Sequence, residues 1–379
     1  MGNVPLRKLS IAGIRNLASQ TLFPGPATNL LVGPNGSGKT SLLEAIHVLA
    51  RGRSFRARAM DAVVTHGASQ CSLYGELGIA ESESRVHQLG VSRETGGGFR
   101  YRLDGESVGA ASVLAEALPL LLINSGSFGL LEGPPRVRRQ FLDWGLFHTA
   151  SDTHPLWRQH LRALQQRNAL LRQSRPDARL VDLWDLRLAE SAEALNVKRQ
   201  AYLAELSPLV VQLITSLSPG LGELRLSFYP GWERDASLYR VLKGCRDRDI
   251  MQGASQFGAH RADLRVRMDG RPAQAFLSRG QIKVLILAML LAQGAHFRQR
   301  RGKPCLSLVD DLPAELDDCH RRRVASLMQE IGGQCFVTGT DAGPLLDAWA
   351  GTAEIKLFHV EQGRIAEKPL PTSAKENDQ

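Results

Sequence analysis

Short apolar runs separated by glycine-rich or polar breaks dominate the first third of the chain, and this pattern predicts β-strands. Leu9, Ile11 and Ile14 mark one strand, and residues 29–32 form a second that leads directly into a glycine-rich loop. Residues 40–49 then carry apolar side chains at helical spacing. Further strand-like stretches, broken by glycine turns, follow at 71–104, so we expect an antiparallel sheet beside a strand–loop–helix unit.

From about Glu132 to Leu217 the apolar spacing becomes helical, and Pro176 divides this stretch into two predicted helices. The apolar positions of the first helix have the spacing of a coiled-coil seam, but an ordinary pair of core-packed helices fits the pattern equally well. These positions are Trp157, Leu161, Leu164, Asn168 and Leu171. Beyond the helical stretch, strands are predicted at 224–228, 264–268, 305–309 and 334–338, with a helix over 282–293.

The composition limits the class of protein. The chain has 379 residues, of which 43% are hydrophobic, so it can bury the core of one or two domains. A formal net charge of +9 favours a polyanionic partner, with nucleic acid preferred over an anionic membrane. The five cysteines are scattered, which argues against a disulfide scaffold or a zinc ribbon. With no N-terminal apolar segment and no apolar run of membrane-spanning length, we expect a cytoplasmic protein without a membrane partner.

Residues 33–40 match the P-loop pattern in full. The glycines of such a loop let backbone N–H groups surround the β-phosphate of a nucleoside triphosphate. Lys39 is predicted to reach the β- and γ-phosphates, and Thr40 to ligate Mg²⁺. The loop therefore predicts binding of ATP or GTP together with Mg²⁺, and the ABC-type signature described below favours ATP. The predicted nucleotide-binding residues of this loop are Gly33, Pro34, Asn35, Gly36, Ser37, Gly38, Lys39 and Thr40.

Residues 305–311 place two acids at the end of an apolar strand, which is the arrangement of a Walker B motif. Asp310 is predicted to hold Mg²⁺, directly or through water, and Asp311 to polarise the attacking water. A surface Asp-Asp turn is the alternative interpretation, and the intact P-loop makes it the weaker one.

Residues 277–281 match the Leu-Ser-x-Gly-Gln signature of ABC-type ATPases. A serine hydroxyl and a helix N-terminus together form an anion site, which in such ATPases closes over the γ-phosphate bound to the other protomer. Ser278, Gly280 and Gln281 are therefore predicted to bind nucleotide across a homodimer. Ser278 is also predicted to be catalytic, together with Lys39 and Asp311.

The motifs and the strand pattern predict an α/β fold. We expect an ABC-ATPase head, in which a P-loop mixed sheet and a flanking antiparallel sheet are joined by an inserted mainly helical lobe. The expected division is an N-terminal ATPase segment at 1–130, the helical lobe at 131–222, a C-terminal ATPase segment at 223–368 and a polar tail at 369–379.

Taken together, these segments resemble the RecF family, within the SMC/Rad50-like branch of ABC ATPases, over nearly the whole chain. Residues 14–17 look like the family's Phe-Arg-Asn element, whose arginine, here Arg15, lies close to the nucleotide base. Residues 51–56 (RGRSFR), 138–145 (RRQFLDWG) and 258–264 (GAHRADL) are similar to three further family blocks.

The resemblance implies ATP-dependent binding of double-stranded and single-stranded DNA at gaps and stalled forks. It also implies an ATP-dependent homodimer and a weak, DNA-stimulated ATP hydrolysis that acts as a switch. In the family, RecR and RecO cooperate in loading RecA recombinase onto single-stranded DNA. We therefore expect a role in recombinational repair, replication restart and the SOS response.

Three departures from the family pattern affect the expected hydrolysis site. Residues 121–127 lack a Q-loop glutamine, which Asn124 or Ser125 could replace. Leu312, Pro313 and Ala314 precede the expected D-loop, Glu315-Leu316-Asp317, in place of the more usual aromatic residue and serine. No histidine follows the strand at 336–340, so Thr338 or Thr340 is the candidate replacement for a switch histidine.

Arginine-rich segments are the expected DNA-binding surface, because arginines neutralise phosphates without reading sequence. A solvated helix face is the alternative for each single arginine. The predicted contacts are Arg51, Arg53, Arg56, Arg58, Arg138 and Arg139, in two clusters, the second of which extends through Arg167 to Arg179. Competing functions are the nucleotide subunit of an ABC transporter, a small-molecule P-loop kinase and a scaffold that binds ATP without turnover.

Overall fold

The computed structural model of the protein describes residues 5–57, 60–79, 82–150, 152–312, 316–352 and 354–371. The chain divides into two compact units, one formed by residues 1–127 with 297–379 and the other by residues 128–296. The second unit continues past residue 222, where the sequence analysis ends the helical lobe. The reason is that strands at 224–229 and 263–268 pack on helices of that unit.

The helices and strands follow one another in three stretches of the chain. The N-terminal stretch comprises β1 (Leu6–Ala12), β2 (Gln20–Leu22), β3 (Thr28–Val32), α1 (Lys39–Arg51), β4 (Gln70–Ile79), β5 (Ser82–Glu94), β6 (Phe99–Leu103), β7 (Glu106–Val108), α2 (Ala111–Ala117) and β8 (Leu120–Ile123). The middle stretch comprises α3 (Gly129–Glu132), α4 (Pro135–Thr149), α5 (Thr153–Leu171), α6 (Ala178–Leu217), β9 (Leu224–Tyr229), α7 (Leu238–Gly244), α8 (Arg246–Gln252), β10 (Asp263–Met268), β11 (Arg271–Pro272), α9 (Ala273–Phe276) and α10 (Arg279–Arg301). The C-terminal stretch comprises β12 (Leu306–Val309), α11 (Asp318–Ile331), β13 (Cys335–Gly339), α12 (Gly343–Ala348), β14 (Ile355–Glu361) and β15 (Arg364–Lys368).

A six-stranded sheet in the order β15-β14-β3-β13-β12-β8 forms the centre of the first unit. β3 lies parallel to both β13 and β14, and β12 lies parallel to both β13 and β8. All of β3 is buried, as expected for a central strand covered on both faces. Because the carboxyl ends of parallel strands share one edge of the sheet, the loops after β3, β12 and β13 meet there.

A second, antiparallel sheet in the order β2-β1-β4-β5-β6-β7 packs on α1, which confirms the predicted flanking sheet. Leu43, Ile46 and Leu49 of α1 belong to the core between them and are fully buried. Leu73 of β4 and Val91 of β5 belong to the same core. The antiparallel sheet thus fixes the helix that begins at the P-loop lysine.

The second unit is built around the long helix α6, against which α5 packs. The predicted seam of α5 is confirmed at Leu171 and wrong at Trp157, which is 38% exposed. Leu161, Leu164 and Asn168 are half-buried, and the helix buries Thr153, His160, Ala163 and Arg167. The predicted strands at 224–228 and 264–268 are confirmed as β9 and β10, which pair antiparallel.

Arg167 lies on the buried face of α5. Its guanidinium is fully buried, with Nε 2.5 Å from Asp185 Oδ1 and Nη1 2.7 Å from Asp249 Oδ2. Nη1 also donates to Ser255 Oγ at 2.7 Å. The expectation that Arg167 belongs to a DNA-binding surface is therefore wrong, since two carboxylates distant in sequence neutralise it inside the unit.

The family-like segments 138–145 and 258–264 bind each other. Arg138 forms a two-bond ion pair with Asp263 at 2.7 and 3.2 Å, and Arg139 Nη1 donates to Ala262 O at 2.8 Å. Arg199 of α6 joins the two segments as well, because it pairs with Asp143 and donates to Ala259 O. The residues that resemble the family in these segments therefore bind one another and stabilise the second unit.

Helix α10 is long and apolar enough, by length and composition, to cross a membrane. However, 72% of its most apolar window is buried within the protein, which is typical of a core helix. Gln293 supports that reading, because its amide donates to Phe141 O at 2.7 Å and to Tyr202 Oη at 3.0 Å.

Candidate functional site

The P-loop occupies the sharp connection between β3 and α1, and two of its glycines are required by close contacts. Gly33 has φ 157°, and a Cβ there would lie 2.1 Å from the carbonyl oxygen of Val360. Gly38 has φ 119°, and its Cβ would lie 2.9 Å from Leu17 Cδ2. A side chain at either position would therefore distort the phosphate-binding conformation of the loop.

Two P-loop side chains are buried. Lys39 is buried, and Nζ donates to the carbonyl oxygens of Gly33 at 2.6 Å and Pro34 at 2.9 Å. Burial lowers the pKa of Lys39, although the nearby carboxylates of Asp311 and Asp310 oppose that shift. Ser37 Oγ is buried and has no hydrogen-bond partner in the part of the chain that the structure describes.

The acidic pair after β12 is held by threonines from two other elements. Thr40 Oγ1 donates to Asp310 Oδ1 at 3.0 Å, and Thr338 Oγ1 donates to the same oxygen at 2.8 Å. The N–H of Asp311 donates to Thr338 Oγ1 at 2.7 Å, and Asp311 adopts a left-handed backbone with φ 55°. Strain in a non-glycine residue is typical of functional sites and persists only when neighbours impose it.

Thr338, rather than Thr340, is the β13 threonine at this site. Thr340 lies in an exposed position and donates to its neighbour Asp341. Asn124, one candidate for the missing Q-loop glutamine, accepts hydrogen bonds from Ser127 through its side-chain oxygen. It thereby caps the 3₁₀ turn that starts at Ser125, while the other candidate, Ser125, belongs to that turn.

These groups line one cavity of about 410 Å³ in the first unit. The lining residues are Arg15, Asn16, Asn35, Gly36, Gly38, Lys39, Thr40, Ser41, Arg56, Asp310, Asp311 and Thr338. The structure therefore brings together the predicted P-loop, the predicted Walker B acids and Arg15. It also places Arg56 at the cavity, although the sequence analysis assigned that residue to DNA.

Glu44 organises the cationic side of the cavity and was not singled out from the sequence. Its carboxylate is fully buried and accepts two hydrogen bonds of 2.8 Å from Arg15, whose pKa is raised mainly by this pairing. Arg56 lies 3.7 Å from the same carboxylate, and Ser54 donates to it. A charged residue inside the apolar stretch of α1 was the available signal.

The residues present fit Mg²⁺ bound together with a triphosphate. In the described part of the chain, no cluster of three His, Cys, Asp or Glu side chains could hold a metal by itself. Magnesium, however, is commonly bound through one or two protein oxygens with substrate phosphates and water completing its shell. Thr40 Oγ1 and the Asp310 carboxylate, 3.0 Å apart, supply such oxygens beside the P-loop.

The signature segment forms a helix start in the second unit. The N–H of Ser278 donates to Gln281 Oε1 at 2.9 Å, and the N–H of Gln281 donates to Ser278 Oγ at 3.3 Å, which is a reciprocal capping box. Both residues are exposed. A Cβ on Gly280 would meet nothing within 4 Å, so packing inside the chain does not require a glycine there.

The predicted DNA-binding arginines lie in different environments. Arg53 is exposed, whereas burial lowers the pKa of Arg51 to about 10, with the charge of Arg53 adding to the shift. Arg138 and Arg139 already bind Asp263 and Ala262 O within the second unit. DNA contact by these residues stays a prediction. Arg58, Glu315 of the D-loop and tail residues 372–379 lie outside the described residues.

Known proteins resemble this chain along most of its length. The model of the RecF/RecN/SMC N-terminal domain family matches residues 5–366. The DNA replication and repair protein RecF of Azotobacter vinelandii is 44% identical over 96% of this chain and 98% of its own length. The protein of the same name from Pseudomonas aeruginosa strain LESB58 is 41% identical over 96% of this chain and 97% of its own length.

Two solved structures have a similar fold. A structure of the recombination mediator protein RecF with ATP, from the RecFOR pathway, aligns with a TM-score of 0.86 and 22% identity, covering 97% of this chain and 98% of that one. The Smc head domain of Pyrococcus furiosus, with an extended coiled coil, aligns with a TM-score of 0.59 and 16% identity, covering 96% of each chain. At these identities the likeness concerns the fold, which is that of an α/β ATPase head.

Proposed function

Because the chain belongs to the RecF family of DNA replication and repair proteins, we propose that it is an ATP-driven switch that clamps DNA. Two copies close on DNA at gaps when ATP is bound, and slow hydrolysis opens them. The observation that carries this proposal is the single cavity at which the P-loop, Asp310, Asp311 and Thr338 meet. Relatives named as DNA replication and repair proteins over 96% of the chain favour this function over the transporter and kinase alternatives.

Nucleotide binding uses groups that are already in place. The buried ammonium of Lys39 exchanges its bonds to Gly33 O and Pro34 O for phosphate oxygens. Arg15 and Arg56 add positive charge to the cavity, with Glu44 holding both. Thr40 and Asp310 would hold Mg²⁺, which would neutralise part of the phosphate charge.

Hydrolysis depends on Asp311. Its strained backbone and its bond to Thr338 fix the carboxylate beside Asp310, where it polarises a water for attack on the γ-phosphate. Loss of the γ-phosphate then removes the bridge between the two copies. A phosphate-dependent contact of this kind is a common two-state switch.

Dimerisation depends on the signature segment. Ser278 is exposed at the start of α10, and Gly280 leaves open space in front of the helix. Because the N-terminus of this helix is accessible, it can bind the γ-phosphate held by a second copy. The chain alone therefore has half of each composite ATP site, and the second copy completes it.

The clamp acts on nucleic acid in the cytoplasm, as expected for a protein of chromosomal repair. Exposed arginines such as Arg53 contact the phosphates of double-stranded and single-stranded DNA. RecR is the proposed direct partner, with RecO and RecA acting in the same pathway. This partnership rests on family membership and supports a role in loading recombinase at gaps.

Sedimentation velocity with and without ATP, in the presence of a gapped duplex, tests the proposal. The wild type should be monomeric without ATP and form a DNA-bound dimer with ATP. Lys39→Met should remain monomeric because it lacks the phosphate-binding ammonium. Ser278→Arg should bind ATP as a monomer, since its bulk blocks only the partner's phosphate.

Ser278→Arg is the sharper of the two variants, because Ser278 is exposed and its replacement leaves the cavity intact. A wild type that stays monomeric with ATP and DNA would refute the clamp. A Ser278→Arg protein that dimerises like the wild type would exclude the signature segment from the interface.

A further inference from the structure

The three-stranded sheet of the second unit, in the order β11-β10-β9, has one buried and one exposed face. Leu224, Phe228, Leu264, Val266 and Met268 point into the unit and are buried. The alternate positions of β9 and β10 face outward, and three of these six residues are arginines. The arginine row consists of Arg225 on β9 together with Arg265 and Arg267 on β10.

Sheet stability does not account for the arginine row. Arg225 and Arg267 are directly opposite each other on neighbouring strands, and like charges in that relation are destabilising. Glu223 neutralises Arg225, with its carboxylate 2.9 Å from the guanidinium. Among the ion pairs of the described residues, Asp263 on the same face is paired with Arg138, and neither Arg265 nor Arg267 has a carboxylate partner. The face therefore keeps an uncompensated positive charge.

An aromatic ring supports one member of the row. The guanidinium of Arg265 lies over Tyr229, 4.7 Å from the ring centroid. A guanidinium stacked on a ring keeps its N–H edge available for phosphate, which makes such a pair a suitable phosphate contact.

A recess beside β10 is bordered by side chains from both faces of the sheet. This cavity of about 170 Å³ is lined by Arg265 and Arg267, by Asp263 with its ion-pair partner Arg138, and by Leu264 and Val266 of the buried face. Residues two apart on a strand are about 7 Å apart, so Arg265 and Arg267 can contact different phosphates of one backbone. Arg267 Nη1 donates to Gly270 O at 3.0 Å, which holds that side chain along the sheet edge.

We propose that the arginine row is a contact site for the DNA phosphate backbone. The site rests on the proposed function, because it supplies the surface by which the clamp holds its DNA. It differs from the clusters expected from the sequence, which lie on other segments. Its contacts are to phosphate, so it contributes affinity and salt dependence without base preference.

The test compares the variant Arg265→Glu/Arg267→Glu with a matched control, Arg187→Glu/Arg240→Glu. The control reverses two exposed arginines of the same unit that lie on α6 and α7 instead of the sheet. Equilibrium binding to a gapped duplex is measured with ATP at several salt concentrations. The sheet variant should bind all sequences more weakly, and its salt slope should fall by about 1 for each arginine removed. The control should retain the wild-type slope.

A milder variant, Arg265→Gln/Arg267→Gln, guards against misfolding. It should shift affinity and slope in the same direction by less, while ATP binding stays at the wild-type level. Wild-type affinity and slope in both sheet variants would overturn the proposal and point to a protein partner for this face. A weaker affinity with an unchanged slope would overturn it too. Failure of the wild type to bind DNA would instead overturn the proposed function.

Discussion

Replacing the buried carboxylate at the nucleotide cavity gives the most direct test of how the site is built. Glu44→Gln keeps the shape of the side chain but removes its charge and one of the two acceptors used by Arg15. Breaking a buried ion pair from one side costs about 3–5 kcal/mol, and because the Arg15 side chain is 22% exposed, water offsets part of that cost. We expect a destabilisation of about 2–4 kcal/mol.

Urea unfolding followed by the buried Trp349 of the same unit measures this change. ATP binding should weaken more than about tenfold, since Arg15 no longer has the partner that fixes it on the cavity wall. Glu76→Gln is the matched control, because Glu76 pairs with Lys8 at 3.1 Å in the same unit but remains partly exposed, and such pairs contribute about 0–1 kcal/mol. Equal unfolding shifts for the two variants would refute the role given to Glu44.

Three further outcomes follow from the structure. Gly145→Ala should destabilise the second unit by about 1–3 kcal/mol in urea, because the added methyl would lie 2.0 Å from Tyr202, whereas Gly244→Ala, with open space, should be near neutral. Asp311→Asn should bind ATP and stay dimeric by light scattering while phosphate release stops; continued release would exclude Asp311 as the water-polarising group. Burial lowers the pKa of His47 and His160 to about 3, so the unfolded chain takes up protons that the folded chain does not. Stability in urea should therefore fall as the pH drops from 6.5 towards 3, and His47→Gln/His160→Gln should reduce that slope.

Contiguous motifs made most of the nucleotide site predictable. The P-loop, the Walker B acids and the strands that carry them are each encoded in a short segment, because a strand, a turn and a helix start need only local residues. The buried β3 and the antiparallel sheet were likewise readable from apolar runs. The reciprocal cap between Ser278 and Gln281 also lies within four residues.

Side chains whose environment depends on distant segments could not be placed in the same way. Arg167 looked like a surface charge because the carboxylates that neutralise it, Asp185 and Asp249, come from other helices. For the same reason, the position of Arg167 on the buried face of α5 was not predicted. Arg56 was separated from Glu44 by an irregular loop, so its approach to the cavity had no periodic signal.

The order of strands in the central sheet has a consequence during synthesis. β3 emerges from the ribosome early, but both of its sheet neighbours, β13 and β14, come after residue 334. Thr40 likewise waits 270 residues for Asp310. The P-loop of a nascent chain is thus synthesised long before the residues that complete the ATP cavity. We therefore expect ATP binding only when translation is nearly finished. For the same reason, we expect fragments released by stalled ribosomes not to bind ATP.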